Sequence, residues 1–557
     1  MNVDRTMIRW NGWGWAAHKD ELGAREDVWT WLASELGMPA LLATPPRPLK
    51  EIPLPASALS AEDRQKLSAI VGADQVREDR YERAFHALGR SYHDLLRLRA
   101  GDLPCVPDAV VYPRGTDEVL AILALAAERA IALIPFGGGT SVVGGVSAAR
   151  GPFSAAITLD MSAMNRIIDI DLISQTATAE AGIYGPALEK ALAAKGLTLG
   201  HTPQSFEFST LGGWIAHAGA GQGSNRYGRA ADWLAGVKLA TPRGLMTTGD
   251  FPASAAGPSL KELMVGSEGI FGIVTEATVS VHELPEVCDY RGYLFRDFES
   301  GTEAIRAAMK DGVAATMLRL SDAQETRFYR AYSGLGKRRG IVRRLAEIFL
   351  ELRHYGDNAC AMIVGFEGDA AEVAAQSKHF HAIAKKYGAI SLGRSMGEQW
   401  RQSRFQAPYL RDPMMDRGVG VDTLETAASW SKIGGLYGAV RAALEASILQ
   451  SVPREGAKGI VMCHMSHSYG DGASLYFTMI FPRVLDGDVA QWKSIKAAAT
   501  EAILANGGTL SHHHGVGEDH APWIATEKGE LGIAVLRAIK QALDPAGVLN
   551  PGKLLGP

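Results

Sequence analysis

The sequence predicts an α+β protein of more than one domain, and three observations carry that prediction. Short β-branched runs alternate with helical stretches from Leu103 to about Pro285, a second set of strands and helices occupies about 286 to 510, and 557 residues exceed one ordinary core. Hydrophobic residues make up 46% and charged residues 21% of the chain, the balance of a globular protein rather than a disordered one.

Taken in order, residues 1–102 open on an aromatic segment and continue into helical stretches such as 80–98, where apolar residues recur at three- and four-residue spacing. This region reads as an N-terminal helical extension, an appendage to the main body of the chain. In 103–285 the runs 109–112, 132–136, 155–159 and 176–181 have strand character, with helices over 116–128 and 185–195. In 286–510, strands near 293–295, 361–366 and 474–481 alternate with helices and form an α+β cap. The segment 511–557 carries a helix over 530–543, stopped by Asp544-Pro545-Ala546-Gly547, and completes the C-terminal side.

A net charge of −4 supplies no basic field for nucleic acid. Cys105, Cys288, Cys360 and Cys463 show no CxxC spacing, which argues against zinc, iron–sulfur or a disulfide framework and fits a reducing cytoplasm. The N-terminus lacks a signal pattern, and the most apolar run, 119–136, is broken by Glu128 and Arg129, so a cytoplasmic protein is expected. The ending Leu-Leu-Gly-Pro carries no peroxisomal tripeptide.

The first chemical signal is Pro135-Phe136-Gly137-Gly138-Gly139-Thr140-Ser141, directly after an apolar strand. Three glycines let the backbone turn sharply and approach a ligand, and the exposed amides form a nest for an anion, completed by two hydroxyls. A plain tight turn is the alternative. Val142 stands where GxGxxG needs its third glycine and no GxxxxGK[ST] is present, so the loop is neither a Rossmann nor a P-loop element. Two further segments place small and hydroxyl residues where backbone could line a flavin. One contributes Gln204, Ser205, Ser209, Thr210 and Gly213, the other Glu268, Gly269, Gly272, Ile273 and Val274. Together and in this order, over about 103–285, the three segments resemble the two-part FAD-binding domain of vanillyl-alcohol-oxidase and p-cresol-methylhydroxylase flavoproteins. Where such proteins tether flavin through this loop a histidine follows the glycines; Thr140 here implies non-covalent FAD.

The second signal is Ser511-His512-His513-His514-Gly515-Val516-Gly517. On a strand only His512 and His514 would share a face, and no carboxylate sits at helical spacing, so no metal is expected and proton transfer is the preferred role. With Arg9-Trp10-Asn11-Gly12-Trp13-Gly14, the 206–214 string FEFSTLGGW, LRLSD at 318–322, YLRD at 409–412, SLYF at 474–477 and ILANGGTLSHHHGVG at 503–517, the chain resembles the alkylglycerone-phosphate synthase (alkyl-dihydroxyacetone-phosphate synthase) family over most of its length. The resemblance implies that acyl-dihydroxyacetone phosphate exchanges its acyl group for a fatty alcohol through a flavin N5 adduct, forming an ether lipid. It further implies Tyr476, His512, His513 and His514 as catalytic residues, and Arg411 and Arg319 as substrate-binding ones. His464 stands where the family carries an arginine, so substrate preference there shifts with a titratable group. The ending LNPGKLL and the segment His217-Ala218-Gly219-Ala220 keep open a FAD-dependent 2-hydroxy-acid dehydrogenase or oxidase of the D-lactate or glycolate type. A flavin-binding protein without catalysis is the third reading.

A stretch from Lys337 to Arg353 sets Ile341, Leu345, Ile348, Phe349 and Leu352 on one helical face beside Lys337, Arg338, Arg339, Arg343 and Arg344. This pattern suits peripheral contact with an anionic bilayer, and an amphipathic core helix has the same spacing. A homodimer is the expected assembly.

Overall fold

The computed structural model describes residues 3–18, 22, 25–334, 350, 353 and 355–556. The expected membrane-contacting stretch 337–353 lies outside the described residues apart from Leu350 and Arg353. Among the described residues no helix is long and apolar enough to cross a membrane.

Three larger sheets, beside a two-stranded one formed by Leu197–Thr198 and His282–Glu283, organise the described residues. A four-stranded sheet runs in the order Val76–Arg77, Ala109–Val111, Ala155–Asp160, Ile131–Phe136, its last three strands parallel. The run Ile131–Phe136 is apolar on both faces, as a parallel strand covered on each side requires. The helix Thr116–Arg129 makes the crossover between parallel strands and buries Val119, Ile122, Leu123 and Ala126 at helical spacing. An antiparallel five-stranded sheet comes next, ordered Ile167–Asp171, Thr176–Glu180, Ile273–Ser280, Leu234–Thr241, Gly244–Thr247.

The third sheet has seven antiparallel strands, with Met317–Ser321, Ile460–Ser468, Gly472–Pro482 and Val419–Ser429 adjacent in that order. Alternation decides its two faces. Leu475, Phe477, Met479, Cys463 and Leu424 enter a core shared with the helices Trp430–Gln450 and Asp488–Ala505, so Tyr476, His464 and Glu425 point to the opposite side. Register then aligns these three: His464 is paired with Tyr476, and Tyr476 with Glu425, in one row across neighbouring strands.

The first hundred residues are not an appendage. Helix Tyr92–Ala100 sinks Tyr92, Leu95, Leu96 and Leu98 into the core of the seven-stranded sheet, because its apolar face has no other partner, and Val76–Arg77 extends the four-stranded sheet. The helical stretch expected over 80–98 also divides into Arg80–Phe85 and Tyr92–Ala100. Ser91 accepts from the Asp94 amide while Asp94 caps Ser91 in return, a capping box that starts a second helix. The tail returns to the four-stranded sheet, with the Leu133 amide donating to Val548 O at 2.8 Å and the Asn550 amide to Leu133 O at 2.8 Å.

Candidate functional site

The glycine loop leaves strand Ile131–Phe136 and lies against the 205–210 turn, so closely that a Cβ on Gly138 would overlap the carbonyl of Phe208 and one on Gly137 the hydroxyl of Thr210. Gly139 takes φ +71°, the left-handed region that glycine occupies at low cost. The amides of Gly138, Gly139 and Thr140 donate to no acceptor among the described residues. They form a row of free donors suited to a diphosphate. Ser141 braces the loop, its Oγ accepting the Gly145 amide at 3.0 Å and its carbonyl accepting the Arg90 amide at 2.7 Å.

Several expected cofactor-lining residues have other partners. Ser209 Oγ accepts from Trp214 Nε1 at 2.8 Å and donates to Ser205 O at 2.9 Å, while Ser205 Oγ donates to it at 3.1 Å. Thr210 caps the helix Leu211–Ala216 by accepting from the Gly213 amide. Gln204 is exposed. The side chains of Phe136, Ile273 and Val274 are packed in apolar clusters, and Gly269 abuts Pro135 while Gly272 abuts Leu239. Glu268 is a latch for the histidine loop: its two oxygens accept the amides of Val516 at 2.5 Å and Gly517 at 2.7 Å. Burial pushes this carboxyl up to about 7 against the pull of those two amides.

The histidine triplet is a loop, not a strand, so the expectation that only His512 and His514 could share a face does not hold. One buried carboxylate, Glu425, gathers it. Glu425 accepts the amides of His512 at 2.6 Å, His513 at 3.1 Å and His514 at 2.9 Å, and the Ser511 hydroxyl at 2.7 Å. Burial disfavours its charge, but the surrounding imidazoles and Ser511 outweigh that and hold it well below the ordinary carboxylate range. The imidazoles respond in the opposite direction. Burial pushes His513 down to about 3 and His514 to about 4, and holds His512 well below the ordinary imidazole value, so all three are neutral near pH 7. His217 and His467 are likewise pushed down, to about 4 and about 3, chiefly by burial.

Tyr476 is half-buried among these rings, stacked on His464 at 4.9 Å and on His513 at 6.0 Å, with His514 edge-on at 5.5 Å. Burial pushes its phenol up to about 12, so it stays protonated. His464 Nδ1 lies 3.0 Å from both Glu325 Oε1 and Arg319, and Arg319 donates to the same Glu325 oxygen at 3.0 Å. The Arg319 charge is therefore spent on Glu325. Arg411 differs: its guanidinium makes no hydrogen bond or ion pair among the described residues, its Nε is sealed from solvent, and it lies within electrostatic reach of Tyr476. Burial lowers its pKa from the usual value, and the nearby Asp412 and Asp422 only partly compensate.

His467, His512 and His513 each bring a ligand nitrogen within 4.8 Å of the others, a metal-like grouping that the sequence did not suggest. Two of the three have partners outside the group: His467 Nε2 lies 3.0 Å from Gly221 O, and His512 Nε2 2.5 Å from the Tyr469 hydroxyl. Glu425, Tyr469 and His467 escape a reading of the sequence because 43 residues or more separate each from His512, a distance that only strand pairing closes. A lone Glu inside an alternating strand was the available signal for the first.

Residues 107–249 match the FAD binding domain family and 265–554 the FAD linked oxidases C-terminal domain family. The chain is 34% identical over 513 residues to the alkyldihydroxyacetonephosphate synthase of Trypanosoma brucei brucei, covering 91% of this chain and 82% of that one. The Dictyostelium discoideum enzyme of that name is 32% identical over 578 residues, covering 99% and 93%. The chain belongs to the alkyldihydroxyacetonephosphate synthase family. A solved alkyldihydroxyacetonephosphate synthase structure superposes with TM-score 0.84 at 30% identity and 99% coverage of both chains. Substrate-bound p-cresol methylhydroxylase shares the fold, with TM-score 0.63 at 14% identity, covering 89% of this chain and 96% of that one. Like its family, the chain is a FAD-binding flavoprotein of the α+β class expected. The free amides of Gly138 to Thr140, the glycines that leave no room for a Cβ, and the unpartnered His217 Nδ1 suit that cofactor.

Proposed function

We propose that this chain exchanges the acyl group of acyl-dihydroxyacetone phosphate for a fatty alcohol, forming the ether bond of an ether lipid. One observation carries the reading: Arg411, whose guanidinium makes no hydrogen bond or ion pair among the described residues, lies within electrostatic reach of the protonated phenol of Tyr476, which itself packs against neutral imidazoles. Bound non-covalently, FAD supplies the nucleophilic ring nitrogen that a substitution in two steps requires.

Arg411, whose planar fork of donors matches phosphate oxygens, holds the substrate phosphate. Tyr476, still protonated at neutral pH, donates to the departing carboxylate oxygen. One of the pair His513 and His514 accepts the single proton of the incoming alcohol, and that proton returns to Tyr476 to restore the phenol after the fatty acid has left with the first. Their Nδ1 atoms lie 3.6 and 3.8 Å from Glu425, whose negative charge stabilises the imidazolium that forms. His512 is anchored by Tyr469 and orients His513, its Nδ1 lying 3.0 Å from that of His513. His464 steadies the ring of Tyr476 by stacking on it, and is itself held by Glu325 and Arg319. In this reading 103–285 holds the cofactor, 286–510 forms the cap, and a basic amphipathic stretch at 337–353 brings a homodimeric enzyme to an anionic bilayer; liposome sedimentation with and without anionic lipid tests the last point.

The deciding experiment is anaerobic spectrophotometry. Acyl-dihydroxyacetone phosphate should bleach the flavin and fatty alcohol restore its colour. Bleaching by a 2-hydroxy acid instead would establish the oxidoreductase alternative, and no change with either would leave a flavin carrier.

A further inference from the structure

We propose that residues 5–18 form a positioning strap that keeps Arg411 free for a phosphate by engaging its neighbour Asp412, and that ties the Arg411 segment to the glycine loop. The proposal deepens the reading of Arg411 as phosphate-binding and rests on it.

One end of the strap grips the glycine loop. Arg5, buried, donates to the carbonyl of Gly137 and pairs with Asp160 at 2.8 Å. The Tyr81 hydroxyl fixes the strap from outside, its single proton shared between Arg5 O at 2.6 Å and Ile8 O at 2.8 Å. The middle folds back on itself, with the Arg9 amide donating to Gly14 O at 2.9 Å and the Ala16 amide to Met7 O at 2.8 Å. Trp13 and Trp15 then pack edge-on against Phe208 at 5.8 and 5.1 Å, on the turn that faces Gly138.

The tip grips the Arg411 segment. The Trp13 amide at 2.8 Å and the Arg9 guanidinium at 2.9 Å both donate to Asp412 Oδ2. A Cβ on Gly12 would overlap that carboxylate, and Gly14, at φ +76°, presses on the ring of Tyr409, which also stacks on His18 at 4.0 Å. Both glycines of the Arg9–Gly14 string are therefore demanded by contact with Tyr409 and Asp412. The consequence is electrostatic. Asp412, 2% exposed, is the nearest carboxylate to Arg411 in sequence and its obvious counter-ion. Asp412 turns Oδ2 to Arg9 and Trp13 while its buried Oδ1 has no hydrogen-bond partner, and held in that orientation it acts on Arg411 through its charge but forms no ion pair with it, so the guanidinium keeps its hydrogen-bonding capacity for an incoming anion.

The test compares Arg9→Ala and Gly12→Ala with the parent as purified holoenzymes. Arg9 is 41% exposed, so its removal leaves the core intact and decides the matter if Gly12→Ala fails to fold. Because small displacements of a positioning group cost one to two orders of magnitude, KM for acyl-dihydroxyacetone phosphate should rise about tenfold while kcat stays within about threefold. Flavin content should not change, competitive inhibition by inorganic phosphate should weaken in parallel, and Arg9→Lys should recover part of the loss. Arg411→Met separates the two levels of the argument. If it leaves phosphate inhibition and KM untouched, the reading of Arg411 fails; if it weakens both while Arg9→Ala and fully flavinylated Gly12→Ala do not, the strap is overturned. A fall in kcat at constant KM in Arg9→Ala would overturn it as well.

Discussion

Glu425 accepts the backbone N–H of His513 at 3.1 Å, and its other oxygen stands 3.6 Å from the Nδ1 of the same residue. A single carboxylate thus sets both the backbone and the charge environment of the triplet. It explains how three adjacent imidazoles are tolerated in a buried site: their amides are satisfied by one acceptor and their rings remain neutral.

Tyr476→Phe should lower turnover by on the order of 10²–10⁴-fold, the usual contribution of a positioned proton donor, and leave bound flavin and fold intact. Steady-state kinetics beside the visible spectrum checks this, and near-parental turnover would remove the assigned role.

Gly138→Ala places a methyl where the Phe208 carbonyl lies, so the loop must move and its free amides leave their row. The purified variant should lose most of its flavin while its far-ultraviolet spectrum is retained. A variant as yellow as the parent contradicts the cradle.

Arg319→Met should act on stability rather than on phosphate affinity. It strands Glu325, only 3% exposed, without its strongest counter-charge, and breaking such a buried pair costs about 3–5 kcal/mol. Denaturant unfolding reports this. Unchanged stability with a raised KM would return Arg319 to the substrate.

Acid should destabilise the fold well before ordinary carboxylates titrate. His201, His217, His467, His513 and His514 have folded pKa values pushed down by burial to about 3 or 4, so the unfolded chain binds the extra protons as pH falls below about 6.5. Each contributes about 1.4 kcal/mol of lost stability per pH unit in that window. Glu268, Asp94 and Asp322, raised by burial to about 7, about 6 and about 6, and Asp519, raised in the same direction, act the other way, because they take up protons more readily folded than unfolded. The histidines outnumber them, and the urea midpoint should fall between pH 6.5 and 5. A midpoint that is flat or rises on acidification would show that these rings are already charged in the fold.

The glycine loop after an apolar strand and the alternation of strand and helix were legible in the sequence, because local spacing and backbone freedom are properties of neighbours along the chain, while Tyr476 and Arg411 stood out only through the family resemblance of the strings that hold them. The partner that each group meets was not legible there. Glu425 as organiser of a triplet 87 residues away, Arg319 bound to Glu325, Glu268 turned to the histidine loop and the N-terminal segment closed over Asp412 all depend on strand register and on which buried charge finds a counter-charge. Those pairings are set when the sheets close, since a buried ionised group must then find a partner from wherever the chain brings one.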